Sequence, residues 1–436
     1  MTIPDIEDVD GFRHQLMTWY DKQKRDLPWR QPGVSPYGIW VSEVMLQQTQ
    51  VVRVIEYWNK WMKRFPDVQT LAKANVDDVF SHWSGLGYYR RATGLHKGAQ
   101  YILDHHDGKL PRDMPSLLKI PSIGPYIAAA IASSAYDVPC AAVDANIMRV
   151  YARIYALEKF DLNQGESRRK IQAIADKAFD TTRCVDWNQA IMDLGALICK
   201  PREVKCDICP IRKFCGAYRS LKAQNGDEPI SEKLTRLYPL SRNTIMDKET
   251  KKISSVKRSD LRKSSHVASA VIFDSQGNVW MKKRPPNGLL ANTWDFPTIS
   301  VDDLQKKTLK QSSAKKLQTM LNLSKIPVAK RLFYAGSIMH IFTHIRMQVE
   351  VFVGEGTDVQ IKSEIKDNID DDKGRILCSE GWVNRDSFSS IGVSSLARKI
   401  LESSLQSKSF AGFIKAEEAD GGDMSSQPVK KERSTE

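Results

Sequence analysis

The sequence predicts a chain of more than one domain, an all-α region followed by a smaller α+β region. Three observations predict it: a length of 436 residues with 41% hydrophobic side chains, apolar residues at helical spacing through roughly the first 215 positions, and a strand–turn–strand pattern beginning near residue 267. A domain averages on the order of 150 residues, so a chain of this length has room for two or three cores.

From Ile39 to Phe65 the residues Ile39, Val44, Met45, Val51, Val52, Ile55, Trp58, Trp61, Met62 and Phe65 keep a helical spacing that Pro66 closes, which predicts one long amphipathic helix. Similar patterns follow at 76–83, 92–104, 114–119, 125–136 and 145–156, separated by Gly85-Leu86-Gly87, Asp107-Gly108, Pro121 and Pro139. Residues 1–217 therefore read as one helical region. Between 241 and 265 eight basic residues (Arg242, Lys248, Lys251, Lys252, Lys257, Arg258, Arg262, Lys263) face three acidic ones without a clear period, so 218–265 reads as a basic linker. Val267 to Phe273, the turn Asp274-Ser275-Gln276-Gly277-Asn278 and Val279 to Met281 read as strand, turn and strand. Further strands at 337–343 and 346–353 and a helix from Leu396 to Leu405 make 266–405 an α+β region; 406–436, rich in Ser, Gly, Lys and Glu, is expected to be disordered.

Composition narrows the function. Lys+Arg 65 against Asp+Glu 52 leaves +13, and such a surplus concentrates polyanions, with nucleic acid ahead of a membrane surface as partner; the alternative is that the charge only keeps the protein soluble. No apolar run reaches the ~18–20 residues that span a bilayer, and Met1 to Asp8 carries neither a basic n-region nor an Arg/Ser-rich amphipathic helix. A soluble, unsecreted, monomeric protein is expected.

Cys199, Cys206, Cys209 and Cys215 lie within seventeen residues, a spacing suited to a soft-metal centre rather than a disulfide framework. Four thiolates there can hold one zinc ion or a [4Fe–4S] cluster; the single C-x2-C pair with lone cysteines outside it departs from the paired knuckles of zinc ribbons. Leu117 to Ala132, through Pro121-Ser122-Ile123-Gly124-Pro125-Tyr126, reads as helix, hairpin and helix. Its outward backbone N–H groups suit one DNA phosphate, or it is an ordinary αα-turn. Asp144 opens a helix, where the dipole would hold a carboxylate ionised and ready to stabilise a cation; a plain N-cap is the other reading. Glu43 sits among Ile39, Trp40, Val41, Val44 and Met45, so burial would raise its pKa and make it a proton donor, unless it is a capping or surface residue. Two carboxylates pushed apart in pKa are what cleavage of an N-glycosidic bond requires.

Together with Leu27-Pro28-Trp29-Arg30, Ser42 to Gln50, Gly85-Leu86-Gly87-Tyr88-Tyr89 and Trp187 to Ala196, these segments resemble the MutY family of adenine-specific mismatch DNA glycosylases, within the helix-hairpin-helix superfamily. The resemblance implies a [4Fe–4S] cluster on the four cysteines. It implies that Glu43 protonates adenine at N7 and that Asp144 stabilises or captures the sugar cation, with Asn146 and Tyr126 as catalytic-site neighbours. Trp29, Arg30 and Gln189 would line the pocket for the flipped adenine. Gln48 and Tyr88 would wedge into the duplex, and Ser122 and Gly124 would anchor a phosphate. Related lyases of the endonuclease III type carry a Schiff-base lysine two residues after the last hairpin glycine. Here that position is Tyr126, which cannot form an imine and so predicts a monofunctional glycosylase.

Lys283 to Pro297 and Phe342-Thr343-His344 resemble the Nudix-like domain with which this family reads 8-oxoguanine. A Nudix hydrolase needs a glutamate-rich box for its metals, and 296–335 contains no glutamate, so independent pyrophosphatase activity is not expected. Ser122 and Ala145 stand where the family has glycine, and Thr343 where serine is more frequent. If either of the first two needs positive φ, the substitution costs about 1 kcal/mol. The reaction implied is removal of adenine opposite 8-oxoguanine or guanine, leaving an abasic site. The alternatives are a bifunctional glycosylase/lyase and a catalytically silent mismatch-binding scaffold. Beyond duplex DNA, the basic linker reads as a surface for a damage-checkpoint clamp, a nuclear-import signal or a merely solvated stretch, and Gln406 to Ile414 as a sliding-clamp peptide or a generic sticky tail, since Ser409 and Gly412 replace apolar anchors. A eukaryotic relative of this kind would be nuclear, and the N-terminus indicates no mitochondrial address.

Overall fold

The computed structural model describes residues 6–157, 165–225, 230–239, 244–246, 253–255, 262–285, 288–302, 309–324, 326, 331–342, 344–356, 369–370, 375–376, 380–389 and 391–407. Thr343, Cys378, the tail from 408 and much of the basic linker lie outside them. Internal contacts divide the chain into two units, 1–76 with 90–260 and 77–89 with 261–436.

The first unit is helical: α1 (Val9–Gln23), α2 (Pro36–Leu46), α3 (Val51–Arg64) and α4 (Val68–Lys73) precede α5 (Val76–Trp83), which groups with the second unit from Asp77 onward. The helical unit resumes with α6 (Arg90–His106), α7 (Met114–Leu117), α8 (Pro125–Tyr136), α9 (Ala145–Ile154), α10 (Gly165–Ala178) and α11 (Cys184–Leu197). Its core brings α1, α9, α10 and α11 around Phe12, Tyr151 and Trp187, with Phe12 edge-on to Trp187 at 5.6 Å. The helix expected without interruption from 39 to 65 is broken at 47–50, where Gln48 takes φ 61. Apolar period alone could not show that break, because Val51 and Val52 resume the pattern in phase. Where a linker is expected from 218, α12 (Gly216–Asn225) and α13 (Ser231–Leu237) instead pack Leu221, Ile230, Leu234 and Tyr238 into a small core of their own.

Two short strands, β1 (Thr244–Met246) and β2 (Ile253–Ser255), pair antiparallel within the basic stretch. The second unit is built on β3 (Lys263–Phe273), β4 (Val279–Lys283), β5 (Trp294–Asp295), β6 (Thr298–Ser300), β7 (Phe333–Ile341), β8 (Ile345–Glu355) and β11 (Glu380–Val383), with helices α14 (Leu309–Leu323) and α15 (Ser395–Leu405); β9 (Ile369–Asp370) and β10 (Arg375–Ile376) form a separate pair. The sheet order is β11-β4-β3-β8-β7, with β3 and β8 parallel and the other pairs antiparallel; β5 joins β4 and β6 joins β3. From Val267 to Phe273 β3 is buried throughout and apolar but for Ser269, because both faces are covered there. Val267, Val271 and Phe273 face the core that holds α15, while Ala268, Ala270 and Ile272 face the one that holds α14. Within this unit the buried Asp77 of α5 accepts from Lys283 Nζ at 2.8 Å and Trp294 Nε1 at 3.3 Å. No helix among the described residues is long and apolar enough to cross a membrane.

Candidate active site

The site begins with α2, whose residues from Tyr37 to Met45 are all buried. A helix enclosed on every side has no wet face to offer a polar residue, so Glu43 is held among apolar neighbours and is 6% exposed. Burial lifts its carboxyl to about 7; the hydrogen bond from Tyr126 works against this, and the negative charge of Asp144 adds to it. The Tyr126 hydroxyl, presented by the first turn of α8, donates to Glu43 Oε2 at 2.6 Å. Burial and the charges of Glu43 and Asp144 push that phenol well above its usual range, so it remains a neutral donor.

Asp144 is the N-cap of α9, accepting from the backbone N–H groups of Asn146 at 2.9 Å and Ile147 at 2.7 Å and from Asn146 Nδ2 at 2.8 Å. These bonds and the helix dipole do not depress its pKa as expected. Burial lifts the carboxyl above the usual range and the hydrogen bonds offset only part of it, because Asp144 sits in the wall of a protein-lined pocket. Asn146 is fixed in turn by Arg149, whose Nη1 donates to Asn146 Oδ1 at 2.9 Å.

A cavity of about 470 Å³, within the range of small-ligand sites, brings together Trp29, Arg30, Glu43, Gln48, Tyr126 and Asp144, and its wall also includes Asn146 and Gln189. Eight positions chosen from separate sequence segments thus share one pocket. Gln189 has no hydrogen bond among the described residues, which leaves its amide available to a ligand. Arg30 is locked differently: its Nη1 and Nη2 both donate to the buried Asp193 at 2.9 Å, and Arg25 donates to the same carboxylate at 2.8 Å. Burial opposes it, but the two guanidinium groups hold Asp193 below the usual carboxylate range. Sequence reasoning assigned Asp193 no role. The signal was the one that singled out Glu43, an acid among Ile191, Met192 and Leu194, one helical turn from Gln189.

Ser122 and Gly124 of the hairpin do not line that cavity. Gly124 caps α8 with open space around its Cα, leaving the hairpin backbone free to meet a ligand. Ser122 does take the left-handed φ of 69, so a residue with a side chain stands where glycine would be unstrained. Gly94 of α6 makes room for it, since a Cβ there would lie 1.5 Å from the Ser122 hydroxyl. Ala145 carries no such strain: it lies in the first turn of α9 with helical backbone. Tyr88 is 46% exposed at φ 49, so both wedge candidates, Gln48 and Tyr88, occupy the left-handed region where non-glycine residues are rare. In the second unit Phe342 and His344 flank the β7–β8 turn; Phe342 packs on the α15-side core and edge-on to His340 at 4.5 Å, and His344 is exposed.

The four cysteines line one cavity together with Arg153, whose Nη1 is 3.2 Å from Cys199 Sγ. Among the described residues no three Cys, His, Asp or Glu side chains are closed into a metal cage. Burial pushes the Cys206 thiol up to about 11 and those of Cys209 and Cys215 to about 12. Four half-buried soft donors around one space, with a guanidinium beside one of them, fit a group that takes them as thiolates.

A helical hairpin set beside a pocket with two carboxylates, joined in one chain to a mixed sheet flanked by helices, defines a helix-hairpin-helix base-excision glycosylase with a Nudix-like second unit. Residues 41–178 match the HhH-GPD superfamily of base excision DNA repair proteins, and residues 268–403 match the NUDIX domain. The chain is 34% identical over 371 residues to the mouse adenine DNA glycosylase, covering 80% of this chain and 71% of that one. It is 32% identical to the human adenine DNA glycosylase (80% and 67% covered) and 32% identical to that of Schizosaccharomyces pombe (79% and 82% covered). The chain belongs to the adenine DNA glycosylase family, DNA repair enzymes that remove adenine by hydrolysing its N-glycosyl bond.

Proposed function

We propose that this enzyme excises adenine paired with 8-oxoguanine or guanine and leaves an abasic site. The observation that carries the mechanism is the Glu43 carboxyl, raised to about 7 by burial and oriented by Tyr126 in the same cavity as Asp144. An acid with that pKa is about half protonated at neutral pH, the condition for delivering a proton to the N7 of a leaving adenine. As the base leaves, its bonding electrons go with it and the sugar becomes an oxocarbenium-like cation. Asp144, fixed by the α9 N-terminus and Asn146, stabilises that cation until water adds to it. Trp29, Arg30 and Gln189 receive the base. Gln48 and Tyr88 fill the gap that extrusion leaves, which offsets a few kcal/mol of lost stacking. Ser122 and Gly124 hold a phosphate through the hairpin backbone.

Tyr126 occupies the position from which a lyase would present its lysine, which supports a monofunctional enzyme. Phe342, Thr343 and His344 read the oxidised guanine, the Thr343 hydroxyl donating or accepting as serine would. Cys199, Cys206, Cys209 and Cys215 would hold a [4Fe–4S] cluster, which saturates its ligands and supplies local structure rather than an open catalytic site. We assign Gln406 to Ile414 to a sliding clamp and the basic linker to a damage-checkpoint clamp, with the enzyme in the nucleus.

Single-turnover incubation with a duplex carrying adenine opposite 8-oxoguanine tests the reading. Strand breaks that appear only after alkali are expected, with no adduct trapped by borohydride. Breaks without alkali would indicate the lyase, and tight binding without excision the silent scaffold. Thr343→Ala should lower the preference for 8-oxoguanine over guanine while excision opposite guanine is retained; equal loss on both would remove Thr343 from that role.

A further inference from the structure

The α2–α3 break, which carries Gln48 into the cavity, is spanned by a backbone bond from Thr49 N–H to Leu46 O at 3.3 Å and receives one charged side chain from α6. Arg91 is 8% exposed; its Nη1 shares its two hydrogens among the carbonyl oxygens of Val44 at 3.0 Å, Met45 at 2.6 Å and Gln47 at 2.7 Å, while Nη2 donates to Thr49 Oγ1 at 3.1 Å. The last carbonyls of a helix have no partner within it, and buried ones need a donor from elsewhere. A neutral side chain supplies at most two donors in one plane; a guanidinium supplies five in a rigid fork. Its contacts bracket Gln48 on both sides, at Gln47 and Thr49, and Gln48 itself is exposed with φ 61. A left-handed glutamine persists only where its flanks over-determine it.

We propose that Arg91 is a positioning residue for base extrusion: it fixes the 47–49 backbone so that the Gln48 side chain is already projected toward the duplex before DNA binds. It touches neither the base nor the sugar, and acts through the rigidity of the break. The proposal rests on the wedge role of Gln48 given above.

The test uses the full chain and a duplex in which 2-aminopurine replaces the target adenine opposite 8-oxoguanine, so that extrusion reads as a fluorescence rise. Arg91→Met should slow extrusion, and excision of adenine with it, by roughly ten- to a hundredfold, as a misplaced group of this kind does, while affinity for the abasic product duplex is unchanged. Arg91→Lys keeps the charge but not the fork, and carries the same test if the methionine variant does not fold. Combined with Gln48→Ala, either variant should be no slower than the slower single change, because both remove one device. Wild-type extrusion by both Arg91 variants while Gln48→Ala is slow would overturn the proposal and leave the wedge standing, as would losses that multiply in the double variant. Wild-type extrusion by Gln48→Ala would overturn the wedge reading itself.

Discussion

Replacing Glu43 by Gln should make the enzyme more stable at alkaline pH and nearly inactive. The carboxyl has an unfolded reference of 4.5 and lies at about 7 in the fold, raised chiefly by burial. Between those values the folded state binds more protons than the unfolded one, so stability falls as pH rises from about 4.5 to about 7 and is flat beyond. The difference of about 2.5 units at about 1.36 kcal/mol each bounds the cost near 3 kcal/mol at pH 8. Glutamine has the same shape, carries no charge, and keeps an oxygen for the Tyr126 hydroxyl. Its gain should therefore approach that bound at pH 8 and fall below about 1 kcal/mol at pH 5. Urea unfolding of the helical unit at both values measures it. At ~2–4 °C per kcal/mol for a unit of this size, thermal unfolding shows it too. Lost proton donation should slow single-turnover excision by about 10²–10⁴ while mismatch binding persists. A stability gain equal at both pH values would show that burial does not raise the Glu43 carboxyl, and excision at the full rate that Glu43 is not the proton donor.

Other substitutions probe the surroundings of that acid. Tyr126→Phe removes the hydrogen bond that lowers the Glu43 pKa, so the alkaline limb of the excision–pH profile should move to higher pH; an unmoved limb would show that this bond does not set the acid. Asp193→Asn leaves Arg25 and Arg30 sharing a neutral acceptor in a buried position and should cost about 3–5 kcal/mol in unfolding free energy, with weaker substrate binding in filter assays. Ser122→Gly should relieve left-handed strain and raise stability by about 1 kcal/mol, seen as a higher urea midpoint. Ala145→Gly should give no such gain, because that position is helical.

Local pattern was enough to read the two fold classes, a glutamate in apolar company paired with a helix-opening aspartate, the four-cysteine loop and the family. Each rests on local pattern: helical period, residue types at fixed spacing, and the strand–turn–strand run at 267–281. Tertiary structure decided what local pattern cannot carry. The break after α2 receives hydrogen bonds from Arg91, forty-odd residues downstream, and α5 groups with the second unit, where Asp77 meets Lys283 and Trp294. The pKa of Asp144 was decided there too. Its cap bonds are readable at positions 144 to 147, but desolvation is set by every chain segment that closes over the pocket, and it outweighs them. Asp193 shows the same division, since its place on α11 is local while its two arginine partners come from the α1–α2 connection. Ser122 is tolerated at φ 69 with Gly94 of α6 directly beneath it, an accommodation between segments about thirty residues apart. Residue type and spacing thus fix which chemistry is available, and the packing of distant segments fixes the dielectric, charge and backbone strain under which it operates.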